Sequence, residues 1–146
     1  MIYVVGSLNT DMSASLERFP EAGETVAAKS VLISPGGKGA NQATAVAKLG
    51  GECVMIGKTG NDAFGAAMKN NLKSAGVNAE HVTKADCSSG LAMILVHEGN
   101  NRIVLDGGAN LRLSEQDVDR GLSAAKAGDV LMLQLEVPLN IVAHAL

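Results

Sequence analysis

Apolar residues form short blocks at three places in the chain, residues 2–5, 53–56 and 130–135, the last interrupted only by Gln134. Runs of this length without alternation are the mark of strands buried on both faces, as in a parallel sheet. Each block closes on a glycine or a polar residue: Gly6, Gly57 and Glu136. Between the blocks the spacing becomes helical. Residues 40–49 read as an Ala-rich helix ending at Gly50-Gly51. Phe64, Met68 and Leu72 recur every fourth residue, predicting a core-facing stripe that Asp62 caps and Gly76 stops. Val118, Leu122 and Ala125 give the buried face of a third helix, with Ser114 and Asp117 at capping-box spacing and Gly128 as its end. Pro138 suits the first turn of a fourth helix over residues 140–146.

Four further segments have β character but no helix between partners: 13–17 with 25–33, and 91–97 with 102–106. The last pair flanks Glu98-Gly99-Asn100-Asn101, which reads as a four-residue hairpin connection. Lys58 to Asp62 reads as loop. The pattern therefore predicts an α/β fold, a parallel sheet layered with helices, plus a small antiparallel appendage outside it. The last helix has no C-cap, and a three-stranded parallel sheet would leave an apolar edge. The chain reads as unfinished.

Composition narrows the class. Only Tyr3, Phe19 and Phe64 are aromatic, so the core must come from Val, Ile, Leu, Met and Ala. A net charge of −3 and the lack of stacking aromatics argue against a nucleic-acid partner. No long apolar stretch predicts a membrane span, and none reads as a signal peptide. Cys53 and Cys87, isolated and without metal-ligand spacing, point to a reducing, cytoplasmic setting. His81, His97 and His144 show no metal-ligand spacing either.

The chemistry concentrates in S-P-G-G-K-G-A-N-Q, residues 34–42. A glycine-rich turn entering a helix presents backbone N–H groups and a positive dipole end. Lys38 and Asn41 place polar heads there, suited to an anion or to a polyhydroxylated molecule. The stretch is not a P-loop, since Leu32 and Gly39 stand where that motif needs Gly and Ser or Thr. Nor is it a dinucleotide fingerprint, since Gln42 replaces its third glycine. A plain strand-to-helix turn, with glycines for tight geometry, remains the competing reading. Asn9 and Asp11 follow the first strand, where α/β sheets meet ligands, or else form an Asx turn. Glu136 occupies the same position after the third strand, or caps the helix that follows.

Taken together, G-S-L-N-T-D at 6–11, P-G-G-K-G-A-N-Q-A at 35–43 and L-Q-L-E-V-P-L at 133–139 resemble the ribokinase-like (PfkB-type) carbohydrate kinases. T-G-N-D-A-F-G at 59–65 and D-G-G-A-N at 106–110 extend the resemblance across the chain, though only to that family's N-terminal half. The resemblance implies a ribokinase-like layered α/β domain, with lid strands near 13–33 and 90–107. It implies ATP-dependent phosphorylation of D-ribose to ribose 5-phosphate, with Mg2+ and a monovalent cation as cofactors. By the same resemblance Asn9, Asp11, Gly36, Gly37, Lys38, Asn41 and Glu136 would bind the sugar, and the lid would close over it and join two copies as a homodimer. The lysine in the turn favours the ribose-specific branch. The family's D-T-x-G-A-G-D catalytic turn, its ATP loops and its N-x-x-E magnesium motif do not occur here. The 146-residue chain is accordingly expected to lack catalysis by itself. It is alternatively a non-catalytic sugar-binding or dimerising fragment.

Overall fold

The computed structural model describes residues 1–146. Four parallel strands build the main sheet: β1 (Ile2–Val5), β4 (Cys53–Gly60), β5 (Val82–Ala85) and β8 (Val130–Leu133), in the order β5-β4-β1-β8. Of the three strands predicted from apolar blocks, β1 and β4 are its inner members and β8 forms one edge. Strand β5 was not legible, because V-T-K-A is short and carries no apolar run. Strand β4 continues through Lys58 to Gly60, which the sequence suggested as loop, because these residues pair with β5.

Alternation along β1 and β4 sends side chains to both faces, and a separate core covers each. Val4, Cys53 and Met55 pack with Ala43, Met68 and Leu72 beneath α1 (Lys38–Lys48) and α2 (Ala63–Ser74). Tyr3, Val5, Val54 and Ile56 pack with Val118, Ile141 and Val142 beneath α3 (Glu115–Leu122) and α4 (Leu139–His144). Helices thus lie on both faces of the sheet, as expected of buried parallel strands. Met68 and Leu72 are each 1% exposed, but Phe64 is 41% exposed. The predicted stripe is core only in its last two members; Phe64, in the first turn of α2, is left at the surface.

The second sheet contains β3 (Ala28–Gly36), β2 (Asn9–Leu16), β6 (Gly90–His97) and β7 (Asn100–Asp106), in that order. Its outer pairs are antiparallel, but β2 runs parallel to β6, so the appendage is mixed rather than purely antiparallel. A parallel pairing between segments some eighty residues apart leaves no local trace in sequence. The hairpin between β6 and β7 is also tighter than expected, since His97 pairs with Asn100 and only Glu98-Gly99 turn. Both turn residues have positive φ, 45° and 77°, matching the twist of a two-residue hairpin. A 3-10 helix (Gly108–Arg112) then leads from this sheet back to the main body.

Candidate substrate-binding site

Sequence placed Asn9 and Asp11 just beyond the first strand, in a ligand-facing position or an Asx turn; the structure puts them in β2, two residues apart and therefore on one face. Pro35 and Gly36 likewise complete β3, so the turn shrinks to Gly37, and α1 begins at Lys38 rather than Ala40. Gly37 has φ of 92°, and a Cβ there would lie 2.6 Å from the Asn9 nitrogen. Only glycine fits. Gly39 is glycine for another reason: its Cα side packs on the backbone after β1, with a Cβ reaching 2.6 Å from the Gly6 carbonyl carbon. The Ala40 N–H is already taken by the Ser7 carbonyl at 3.0 Å. The helix entrance is therefore partly filled by protein, not an open row of donors.

An open cleft of about 140 Å³ gathers Asn9, Asp11, Gly37, Lys38, Asn41 and Glu136. Its apolar wall comes from β6 and β7, through Ala92, Ile94, Ile103 and Leu105. Of the residues singled out from sequence, Gly36 alone does not line it. Gly36 stands behind Asp11, where a Cβ would come within 2.1 Å of the carboxylate.

Glu136 is held from two sides. Its Oε2 accepts from the Ser7 hydroxyl at 2.9 Å, and its Oε1 pairs with the Lys38 ammonium. Ser7 is fully buried and ties the site together, since its N–H also donates to Gln134 Oε1 at 3.1 Å. Asp11 has its pKa raised, first by burial and then by the nearby Glu136 carboxylate, with Lys38 opposing. Two carboxylates and one ammonium therefore share the cleft, with the amides of Asn9 and Asn41 beside them. Such a set can bind neutral hydroxyls, accepting at the carboxylates and donating from Lys38.

Ser7 and the four apolar wall residues were not singled out from sequence. Ser7 was legible only as part of G-S-L-N-T-D. The wall depends on the register of β2, β6 and β7, which no local pattern encodes.

No group of three or more His, Cys, Asp or Glu side chains converges to hold a metal. The glycine-rich entrance of α1, the segment most like a phosphate cradle, is packed on Gly6 and Ser7. No helix is long and apolar enough to cross a membrane.

Residues 1–144 match the family described as pfkB family carbohydrate kinase. A deoxyribokinase of Salmonella typhi is 42% identical, with the match covering 99% of this chain and 48% of the relative. A ribokinase of Dictyostelium discoideum is 40% identical, covering 99% of this chain and 46% of the relative. The solved ribokinase of Arabidopsis thaliana, complexed with ribose and ATP, superimposes with a TM-score of 0.82 at 33% identity, over 99% of this chain and 48% of that one. The chain spans about half the length of the curated relatives it matches.

Proposed function

This chain belongs to the pfkB family of carbohydrate kinases, and from that premise we propose that it is the sugar-binding half of a ribokinase-type phosphotransferase. D-ribose is the proposed substrate and ribose 5-phosphate the product. The single observation behind this reading is the convergence of Asn9, Asp11, Lys38, Asn41 and Glu136 on one cleft. Asp11 and Glu136 accept from sugar hydroxyls, Lys38 and the amides donate, and the apolar wall meets the carbon face of the ring. Gly37 lets the backbone approach, with Gly36 keeping space for the Asp11 carboxylate. Once the lid covers them, the cleft's polar groups reject molecules that leave them unpaired. The β6–β7 wall acts as a lid that keeps water from competing with the sugar as phosphoryl acceptor.

ATP with Mg2+ and a monovalent cation belong to this proposal only for the whole enzyme, in which they supply and activate the transferred phosphoryl group. The D-T-x-G-A-G-D turn and the N-x-x-E motif that the family resemblance assigns to that step do not occur in this sequence. The isolated chain is therefore a binder without turnover. Free Cys53, buried, and Cys87, half-buried, fit a reducing cytoplasmic setting.

A homodimer through the lid is part of the same proposal. Val31, Leu32, Ile33, Met93, Ile103 and Val104 are all exposed on this sheet. Apolar surface on that scale is what a partner covers. A sugar-binding or dimerising fragment with no catalytic role is the second reading, favoured by the same exposed sheet.

Incubation of the purified chain with ribose, ATP and magnesium tests the division of labour. Ribose alone should give saturable heat in calorimetry, and the mixture should yield no ribose 5-phosphate. Turnover that disappears in Asp11→Ala would overturn the claim that this half does not catalyse. Absence of any ribose binding would remove the sugar assignment.

A further inference from the structure

Asn110, on the 3-10 helix, is 1% exposed and lies outside the cleft lining, yet it touches the residue that opens β2. Its orientation is forced by what it meets. The Leu8 N–H can only donate, and it donates to Asn110 Oδ1 at 2.9 Å. The Leu8 carbonyl can only accept, and it takes an Asn110 Nδ2 proton at 3.0 Å. The remaining Nδ2 proton goes to Asn9 Oδ1 at 2.8 Å. With its oxygen engaged in this way, Asn9 has its NH2 group left to offer the cleft.

Two further features hold this pair. Gly90 packs against both amides, and a Cβ there would stand 2.2 Å from Asn9 Oδ1 and 2.3 Å from Asn110 Nδ2. The 3-10 helix is seated by Ala109 N–H donating to the Ser88 carbonyl at 2.8 Å. The adjacent Ser89 donates its N–H at 2.8 Å and its hydroxyl at 2.7 Å to Asp62, the N-cap of α2. The orientation of Asn9 is thus built from three separate elements.

We propose that Asn110 is a positioning residue that fixes Asn9 as a hydrogen-bond donor toward the ligand. Its ligand-side consequence rests on the sugar-binding reading above; the amide lock does not. Beside Asn9, Asp11 and Glu136 offer carboxylates that only accept when ionised. A hydroxyl-bearing ligand satisfies both demands, because a hydroxyl accepts from Asn9 and donates to a carboxylate. An ammonium group at the same place would meet the Asn9 donors head-on. Asn110 therefore contributes to the choice of hydroxyl over amine without touching the ligand.

The test has two arms. In the ligand-free chain, side-chain order parameters of the Asn9 amide read the lock itself. They should be near rigid-backbone values in the native chain and fall below about 0.6 in Asn110→Ser and in Gly90→Ala. Gly90→Ala keeps both amides and serves if Asn110→Ser fails to fold. Unchanged order parameters would overturn the inference. In the second arm, ribose affinity measured by calorimetry should drop about tenfold or more in either variant. Added to Asn9→Ala, either substitution should cost less than about twofold further, since both act through the same amide. Additive losses would instead mean a general structural role and overturn the proposal. A native chain that binds no ribose would defeat the sugar reading, with the order parameters still deciding the lock.

Discussion

Asp11 is held in a place that disfavours its own charge, since burial and Glu136 both raise its pKa. The sign follows directly. A carboxyl whose folded pKa exceeds its unfolded value loses stability when it ionises, so its charge destabilises the fold at neutral pH. Asp11→Asn should therefore keep or raise the melting temperature while weakening ribose binding by about tenfold or more, as expected for a charged hydrogen-bond acceptor. Thermal unfolding and calorimetry on the same sample check both halves. Ribose affinity of the native chain should decline on acidification with a midpoint above 3.8, the ordinary value for this carboxyl. Gly37 is a second single-residue test. Its φ of 92° and the Asn9 nitrogen 2.6 Å from its Cβ position leave no room for alanine. Gly37→Ala should cost about 1–3 kcal/mol in denaturant unfolding. Asn9, Asp11, Lys38, Asn41 and Glu136 were legible in sequence because each follows a strand or opens a helix, where α/β sheets expose side chains to ligands. Asn110 was not, because its role depends on a contact across a hundred residues of chain.

Helix α3 shows how far local pattern carries at the scale of an element. Its capping box is present as read: Ser114 accepts from the Asp117 N–H, and Asp117 from the Ser114 N–H at 3.0 Å. Its length is not as read. The helix stops at Leu122, short of Gly128, and Ala125 is exposed. Residues 123–129 form turns instead, with Asp129 paired to the chain's amino group. Asp117 has a second task that spacing could not reveal, a buried ion pair with Lys58 of β4. Burial alone would raise its pKa, but hydrogen bonds from Lys58, Ser114 and Thr83 outweigh it and hold the carboxyl at about 2. That depression is worth about 2 kcal/mol, present above pH ~4 and lost as pH falls through 2. Urea unfolding between pH 6 and pH 2 should show this loss. Asp117→Asn should lower stability at pH 6 and flatten the difference. A native acid profile retained by the variant would contradict the assignment.

For the molecule as a whole, three of the four main-sheet strands were readable, β5 was not, and the second sheet was readable only in part. Continuous apolar blocks identify buried parallel strands, but no such signal orders segments that pair at long range. The parallel β2–β6 seam places Ile33, Met12, Met93 and Val104 in one cross-strand row, and Leu32, Ser13, Ile94 and Ile103 in the row facing the other way. Apolar residues on both faces explain why alternation in 25–33 reads so poorly. The row away from the cleft leads to the proposed dimer: sedimentation should find two copies associated, and either Ile33→Glu or Val104→Glu should leave monomers. Association unchanged in both would contradict a lid interface. The proposed function requires one cleft to bind one small polyol, and an amide NMR titration of the 15N-labelled chain with ribose tests that most directly. We expect saturable shifts concentrated at Asn9, Asp11, Gly37 to Asn41 and Glu136, with Lys84 to Cys87 undisturbed at the far edge of the sheet. An unchanged spectrum, or shifts confined to Lys84 to Cys87, would contradict the account.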